Sequence, residues 1–460
     1  MFKRYRFIFI LLSIVIVAHG VLYAHILQNF PDVGKSFDTQ YTNISENLYQ
    51  YGVYSTGTRD TEGNLVSTLT QPPLYTTAYF ISYKIFGLGR GADEAMRVLQ
   101  MVLNIGAIFV VWRIGRMWSA RVGNIAAAFA ALDLTAFFFA QNFQIPDTTL
   151  GFFMALWLLY LVKFLKQEPS SKNIFLSALF LGLAMWTKIA VYMLWAPLAF
   201  FLILFLWKGS TLSRQGKIRA FGIFIAVILV FFGGWKARNY FATGYWTYAS
   251  GATSLRWNAA HVVAYQENIP LAEARERLAK ESLTPEITGM GEGAIERYGS
   301  RKMMEIIIGS PVDFGIVVLR AMPGMFFGTF PPYMLFSKRT ADATVERVTE
   351  ARGNRTLLAD LWREGRIAYV LVYAAAKLHL LLMYVAGGVA TVLFLRNKSL
   401  RWIIFAMVLT MLYTIAVSGA AAQARYRTII FPIFYVLAGY GMAYMLGLTC
   451  KKNYARARTS

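Results

Sequence analysis

Apolar runs of helix length recur along the chain, and basic residues gather in the short connections between alternate pairs of them. Each run is near the ~20 residues an α-helix needs to cross the hydrocarbon of a bilayer. Lipid offers no partner to backbone amides, so such a chain must satisfy them within helices. Hydrophobic residues make up 57% of the 460 positions and charged residues only 15%, a balance that excludes an ordinary soluble domain. The formal net charge of +22 does not form one basic face of the kind that binds nucleic acid. It sits in segments such as WRIGRMWSAR, KFLKQEPSSK and WKGSTLSRQGKIR, the distribution that anchors connections on the cytoplasmic side. The expected fold class is therefore an all-α polytopic membrane protein of about 10 spans, at most 12, with interfacial helices in its exported loops.

The chain begins MFKRYR and continues into an apolar run over 7–27 with no clean small-x-small cleavage site after it. This reads as an uncleaved signal anchor with its N-terminus in the cytoplasm. Segment 73–87 is too short to span, and counting it as a span would put Arg113, Arg116 and Arg121 on the wrong side. It is expected to be an interfacial or re-entrant helix started by Pro72-Pro73. Further spans are expected at about 96–114, 122–141, 148–166, 173–187, 190–207, 219–235, 368–395, 402–418 and 428–447. Between them, ENIPLAEARERLAKESL reads as a solvated surface helix, and 312–336 as a Pro- and Gly-broken helix on or dipping into the membrane. Three regions follow: a transmembrane module over 1–235 that includes an exported loop at 28–94, a large exported region over 236–367, and C-terminal spans with a basic cytoplasmic tail over 368–460. Cys450 is the only cysteine, which leaves no intramolecular disulfide framework, and the four histidines show no metal-ligand spacing.

The same parity gathers a short set of polar groups at the exported face, on an inner membrane of bacterial type. They include Asp38, Tyr41 and Glu46 in the first loop, then Arg59, Gln71, Asp147, Lys188, Arg238, Asn239, Arg425, Tyr426 and Arg427. Asp147 at the mouth of a helix has an alternative as a plain N-cap, and the arginines as lipid-headgroup anchors. Taken together, two carboxylates facing several cations suit transfer away from a phosphate leaving group. One carboxylate takes a proton from the attacking hydroxyl or amine, and the cations hold the departing phosphate. Basic residues are scarce in exported loops, so Arg425 and Arg427 in one short turn call for an anionic partner.

The order of motifs resembles the membrane glycosyltransferases of the GT-C fold, in particular the branch of protein O-mannosyltransferases and the bacterial lipid A aminoarabinose transferase (glycosyltransferase family 39-like). The likeness is carried by Asp38, Tyr41 and NLYQYGVYS, by PPLYTTAYFISYKIFG, by Pro146-Asp147, by WKARNYFATGYW and by ARYRTIIFPIFYVLAGYG. By that resemblance Asp38 is the catalytic base and Asp147 a second carboxylate orienting acceptor or base. The donor is a polyprenyl-phosphate-linked sugar and the outcome is inversion. The position before Pro72-Pro73, often basic in relatives, is Gln71 here, which leaves the phosphate to Arg238, Arg425, Arg427 or Lys188. No Asp-x-Asp or Glu-x-Glu pair occurs in either loop, so no cofactor or obligatory divalent metal is expected. The expected activity is transfer of a sugar to a hydroxyl or amine of a protein, lipid or glycan. The alternative is a transporter, or a flippase or polymerase of lipid-linked glycans.

Overall fold

The structure is a computed structural model, described over residues 2–29, 40–59, 62–141, 145–166, 169–248, 252–282, 292–328, 367–398, 400–421 and 423–448. Asp38 and the last third of the expected 312–336 element lie outside the described residues. Within them the fold is helical, with one isolated β-bridge between Arg59 and Leu65.

The helices are α1 (Phe2–Asn29), α2 (Gln40–Tyr51), α3 (Pro73–Phe86), α4 (Arg90–Gly115), α5 (Ala120–Ala131) and α6 (Leu134–Phe139). Next come α7 (Asp147–Lys166), α8 (Ser171–Thr187), α9 (Trp195–Lys208), α10 (Arg214–Thr243), α11 (Ala252–Glu267) and α12 (Leu271–Ser282). The last are α13 (Glu292–Gly309), α14 (Pro311–Phe327), α15 (Ile367–Arg396), α16 (Arg401–Ser418) and α17 (Phe431–Met445). Among the described residues seven helical segments are long and apolar enough to cross a membrane. At three other expected positions the helices are shorter: α5 has 12 residues, α8 has 17 and α17 has 15.

Local chemistry explains most boundaries. The Pro72-Pro73 pair starts α3, and Gly87 ends it at φ 73° with its N–H on the Tyr83 carbonyl. Ser119, Ser170 and Ser213 each cap a helix by accepting a backbone N–H. The expected span over 122–141 is instead broken. Asp133 accepts hydrogen bonds from the N–H groups of Thr135 and Ala136, ending α5 and restarting the chain as α6. A carboxylate that caps so well competes with continuing the helix. The α13–α14 pair bends by 94° at Ser310, in keeping with a broken or re-entrant element.

The core is formed by α4, α5, α7, α8, α10, α15 and α17, with α17 wedged between α5 and α15. That wedge depends on small residues, as close helix contact in membranes does. A Cβ added at Gly439 would lie 2.6 Å from the Ala126 Cβ, and one at Gly441 would collide with the Ala386 carbonyl. The 20 residues of α7 set a polarity on the bundle, because Asp147 opens the helix and Lys163 and Lys166 close it. At ~1.5 Å per residue these ends stand ~30 Å apart. Lys166 donates to the Met117 carbonyl at 2.5 Å and lies over the Trp118 ring, which brings the basic ends of α7 and α4 together. The functional groups lie at the other end.

Candidate active site

Asp147 is the first residue of α7, where the helix dipole favours a negative charge, and it is fully buried. Its Oδ1 accepts from Lys188 Nζ at 2.7 Å. Lys188 follows α8 in extended conformation, so the end of that helix aims the ammonium across at α7. Thr428 Oγ1 lies 3.3 Å from the same oxygen and 2.6 Å from the Arg425 carbonyl, so its one proton is shared between them. Asp147 Oδ2 is buried and has no hydrogen-bond partner among the described residues, and the same holds for the neighbouring Thr148 hydroxyl. A buried carboxylate oxygen left open costs free energy that folding alone gives no reason to spend.

Asp147 and Thr148 both line a pocket between α4, α5, α6, α7 and α17. Its other walls are mainly apolar, among them Ile108, Val111, Phe139 and Phe431. Asn104 and Tyr435 add two polar groups held from behind. The Asn104 amide oxygen is 3.1 Å from His19 Nε2, and His19 Nδ1 is 3.0 Å from Gln141 Nε2. One neutral imidazole tautomer, protonated on Nε2, satisfies both contacts. The Tyr435 hydroxyl donates to Asp133 Oδ2 at 2.9 Å. Sequence reasoning missed these supports; the only trace of them was a lone histidine and a lone aspartate inside apolar runs, which carries little information by itself.

Of the expected site residues, Asp147 pairs with Lys188, Lys188 lies against Tyr426, and Arg425 lies beside Tyr426. Lys188 Nζ stands 5.7 Å over the Tyr426 ring and the Arg425 guanidinium 5.8 Å from it. Lys188 is therefore the counter-ion of Asp147. Arg427 is nearby but fully buried, and its guanidinium donates to the carbonyls of Phe326 and Gly328 at 2.5 and 2.6 Å. Its donors thus point into the protein, whereas the sequence reading had them meeting an anionic partner at the exported face.

Tyr41, Gln71, Arg238 and Asn239 form a second group beside the first. Tyr41 is buried edge-on against Tyr75 at 5.4 Å. The Tyr75 hydroxyl receives a bond from Gln100, which also donates to the Ile145 carbonyl and accepts from Thr149, on either side of Asp147. Gln71 donates to the Gln40 side chain at 2.7 Å, at the start of α2. Arg238 donates to the Thr68 carbonyl at 3.2 Å and stacks over Tyr54 and Trp235 at 4.6 and 5.0 Å. Burial pushes the Tyr54 hydroxyl well above its ordinary pKa, so it stays a protonated donor to the Gln71 carbonyl. Asn239 is fully buried and gives both amide protons to the carbonyls of Thr247 and Tyr248, so it fixes that turn. Tyr248 in turn donates to the Met185 carbonyl in the last turn of α8, just before Lys188. No group of three His, Cys, Asp or Glu side chains suited to a metal ion occurs among the described residues.

Comparison with known proteins bears on this geometry. Residues 70–235 match the family described as dolichyl-phosphate-mannose-protein mannosyltransferase. The apo crystal structure of the Archaeoglobus fulgidus oligosaccharyltransferase superposes with a TM-score of 0.52 at 15% identity, over 99% of this chain and 52% of that one. This chain thus spans about half the length of the archaeal enzyme. ArnT from Cupriavidus metallidurans, solved with undecaprenyl phosphate, gives a TM-score of 0.39 at 13% identity, over 94% of this chain and 77% of that one. No curated protein matches the sequence. The fold is that of the GT-C membrane glycosyltransferases.

Proposed function

We propose that the protein is an integral membrane glycosyltransferase that moves a sugar from a polyprenyl-phosphate donor to a hydroxyl or amine acceptor at the exported face. The observation that carries this reading is Asp147: a buried carboxylate that lines a pocket, held by Lys188 on one oxygen and with no partner for the other among the described residues, near Arg425. The match of 70–235 to mannosyltransferases named for a polyprenyl-phosphate sugar supports the donor class. The chemistry then follows from the charges. The acceptor gives its proton to Asp38 and its oxygen or nitrogen attacks the anomeric carbon. The bond from that carbon to the phosphate oxygen breaks, and the electron pair leaves with polyprenyl phosphate. Attack from the face opposite the leaving group inverts the anomeric centre. Arg425, Lys188 and Arg238 supply cations for the departing phosphate, each already oriented by a ring or a carboxylate. Asp147 orients the acceptor, because the oxygen it leaves open accepts only from a donor group. The test is release of polyprenyl phosphate by the purified protein in lipid nanodiscs, supplied with polyprenyl-phosphate sugars and no nucleotide sugar. Release that depends on acceptor and is lost in Asp38→Asn is the expected result. Consumption of a nucleotide sugar, with every lipid-linked sugar left intact, contradicts the reading.

A further inference from the structure

The buried Arg427 makes a different kind of contact from its neighbour Arg425. The turn Ala424–Ile429 that carries it lies between Ser418, at the end of α16, and the start of α17. Its guanidinium reaches sideways to the C-terminus of α14, where it donates to the carbonyls of Phe326 and Gly328. Two other side chains converge on the same helix end. The Tyr384 hydroxyl donates to the Phe326 carbonyl at 2.5 Å, and Lys377 Nζ donates to the Phe327 carbonyl. The last carbonyls of a helix have no partner within it and carry the negative end of its dipole. Here one buried cation, a second cation and a hydroxyl meet that need together. Arg427 lies 5.5 Å from the Phe431 ring and 3.5 Å from the Thr135 hydroxyl, so its remaining surroundings are also protein. The next residue along the turn is Thr428, whose hydroxyl shares its proton with Asp147.

We infer that Arg427 is a positioning residue: by gripping the C-terminus of α14 it holds the 424–429 turn in the one register that sets Thr428 against Asp147. An arginine suits this work because its planar fork reaches two carbonyls at once and keeps its charge when buried. A lysine would satisfy one carbonyl and an amide side chain would leave the helix end short of positive charge. The 94° bend at Ser310 frees α14 from following α13, so its far end is fixed by what grips it. Coupling between α14 and the carboxylate then runs through two consecutive residues of one short turn.

The kinetic part of the test rests on the transferase reading, whereas hydrogen exchange does not, so failure of one is distinguishable from failure of the other. In full-length protein in nanodiscs, Arg427→Gln is expected to speed exchange about tenfold in the last turn of α14 and in 424–429, and to leave α4 and α7 unchanged. Tyr384→Phe, which keeps the cation, gives the same pattern with a smaller change. For transfer, Arg427→Gln lowers kcat about tenfold with the donor KM unchanged, and Arg427→Lys recovers part of it. A purely structural arginine would lower the folded fraction but leave kcat per folded molecule intact. Unchanged exchange at 317–328 in Arg427→Gln, joined to weaker binding of polyprenyl phosphate alone, would overturn the inference and make Arg427 a phosphate ligand. If Arg427→Gln does not fold, unchanged exchange in both Tyr384→Phe and Arg427→Lys overturns it equally.

Discussion

Asp133 and Asp147 are two carboxylates, 2% and 0% exposed, in the same bundle, and only Asp147 lines the pocket. Asp133 accepts from two backbone N–H groups on one oxygen and from the Tyr435 hydroxyl on the other, so both oxygens are satisfied by the protein itself. Asp147 is paired with Lys188 on one oxygen and, among the described residues, carries the other without a partner, as does the neighbouring Thr148 hydroxyl. Burial is common to both and does not separate a structural acid from a functional one. We propose that the oxygen without a partner among the described residues does, because a buried acceptor left open can receive a donor from a ligand.

The contrast can be broken by removing the partners one at a time. Lys188→Met strands the Asp147 charge, and the thermal midpoint should fall by the equivalent of about 3–5 kcal/mol. Adding Asp147→Asn to that variant should restore much of the stability but none of the transfer, and a melt plus a rate measurement reads both. Asp133→Ala removes a helix cap and the partner of a buried hydroxyl, at a cost of about 2–3 kcal/mol. Transfer per folded molecule is expected to stay within a factor of two or so, since Asp133 touches no open group. The smallest effect belongs to Tyr435→Phe, about 1 kcal/mol of stability from one lost hydrogen bond. A larger loss of transfer than of stability in that variant would move Asp133 into the working site.

How far the sequence could be read follows the same division. Apolar periodicity and alternating basic connections mark long helices such as α1, α4, α7, α10 and α15, because their signal is repeated over many residues. The limits of α3 were legible too, since Pro72-Pro73 and Gly87 each act on the local backbone. The break at Asp133 was not. An aspartate inside an apolar run can cap, pair or face a ligand, and only its neighbours in space decide which. Asp147 and Lys188 were both identified as site candidates, but not as an ion pair, because 41 residues separate them. Arg427 looked the same as Arg425 from the sequence. What separates them is the carbonyl end of α14, roughly a hundred residues away in the chain.

The most direct measurement is the transfer rate per folded molecule of Asp147→Asn and Asp133→Asn, taken side by side in nanodiscs with a polyprenyl-phosphate sugar donor. For Asp147→Asn a fall of at least about a hundredfold in rate per folded molecule is expected, together with a lowered melting temperature from the stranded Lys188 ammonium, and for Asp133→Asn a lowered melting temperature with a near-native rate. Equal rates in the two variants, or a loss confined to Asp133→Asn, would contradict the assignment of Asp147 to the reaction.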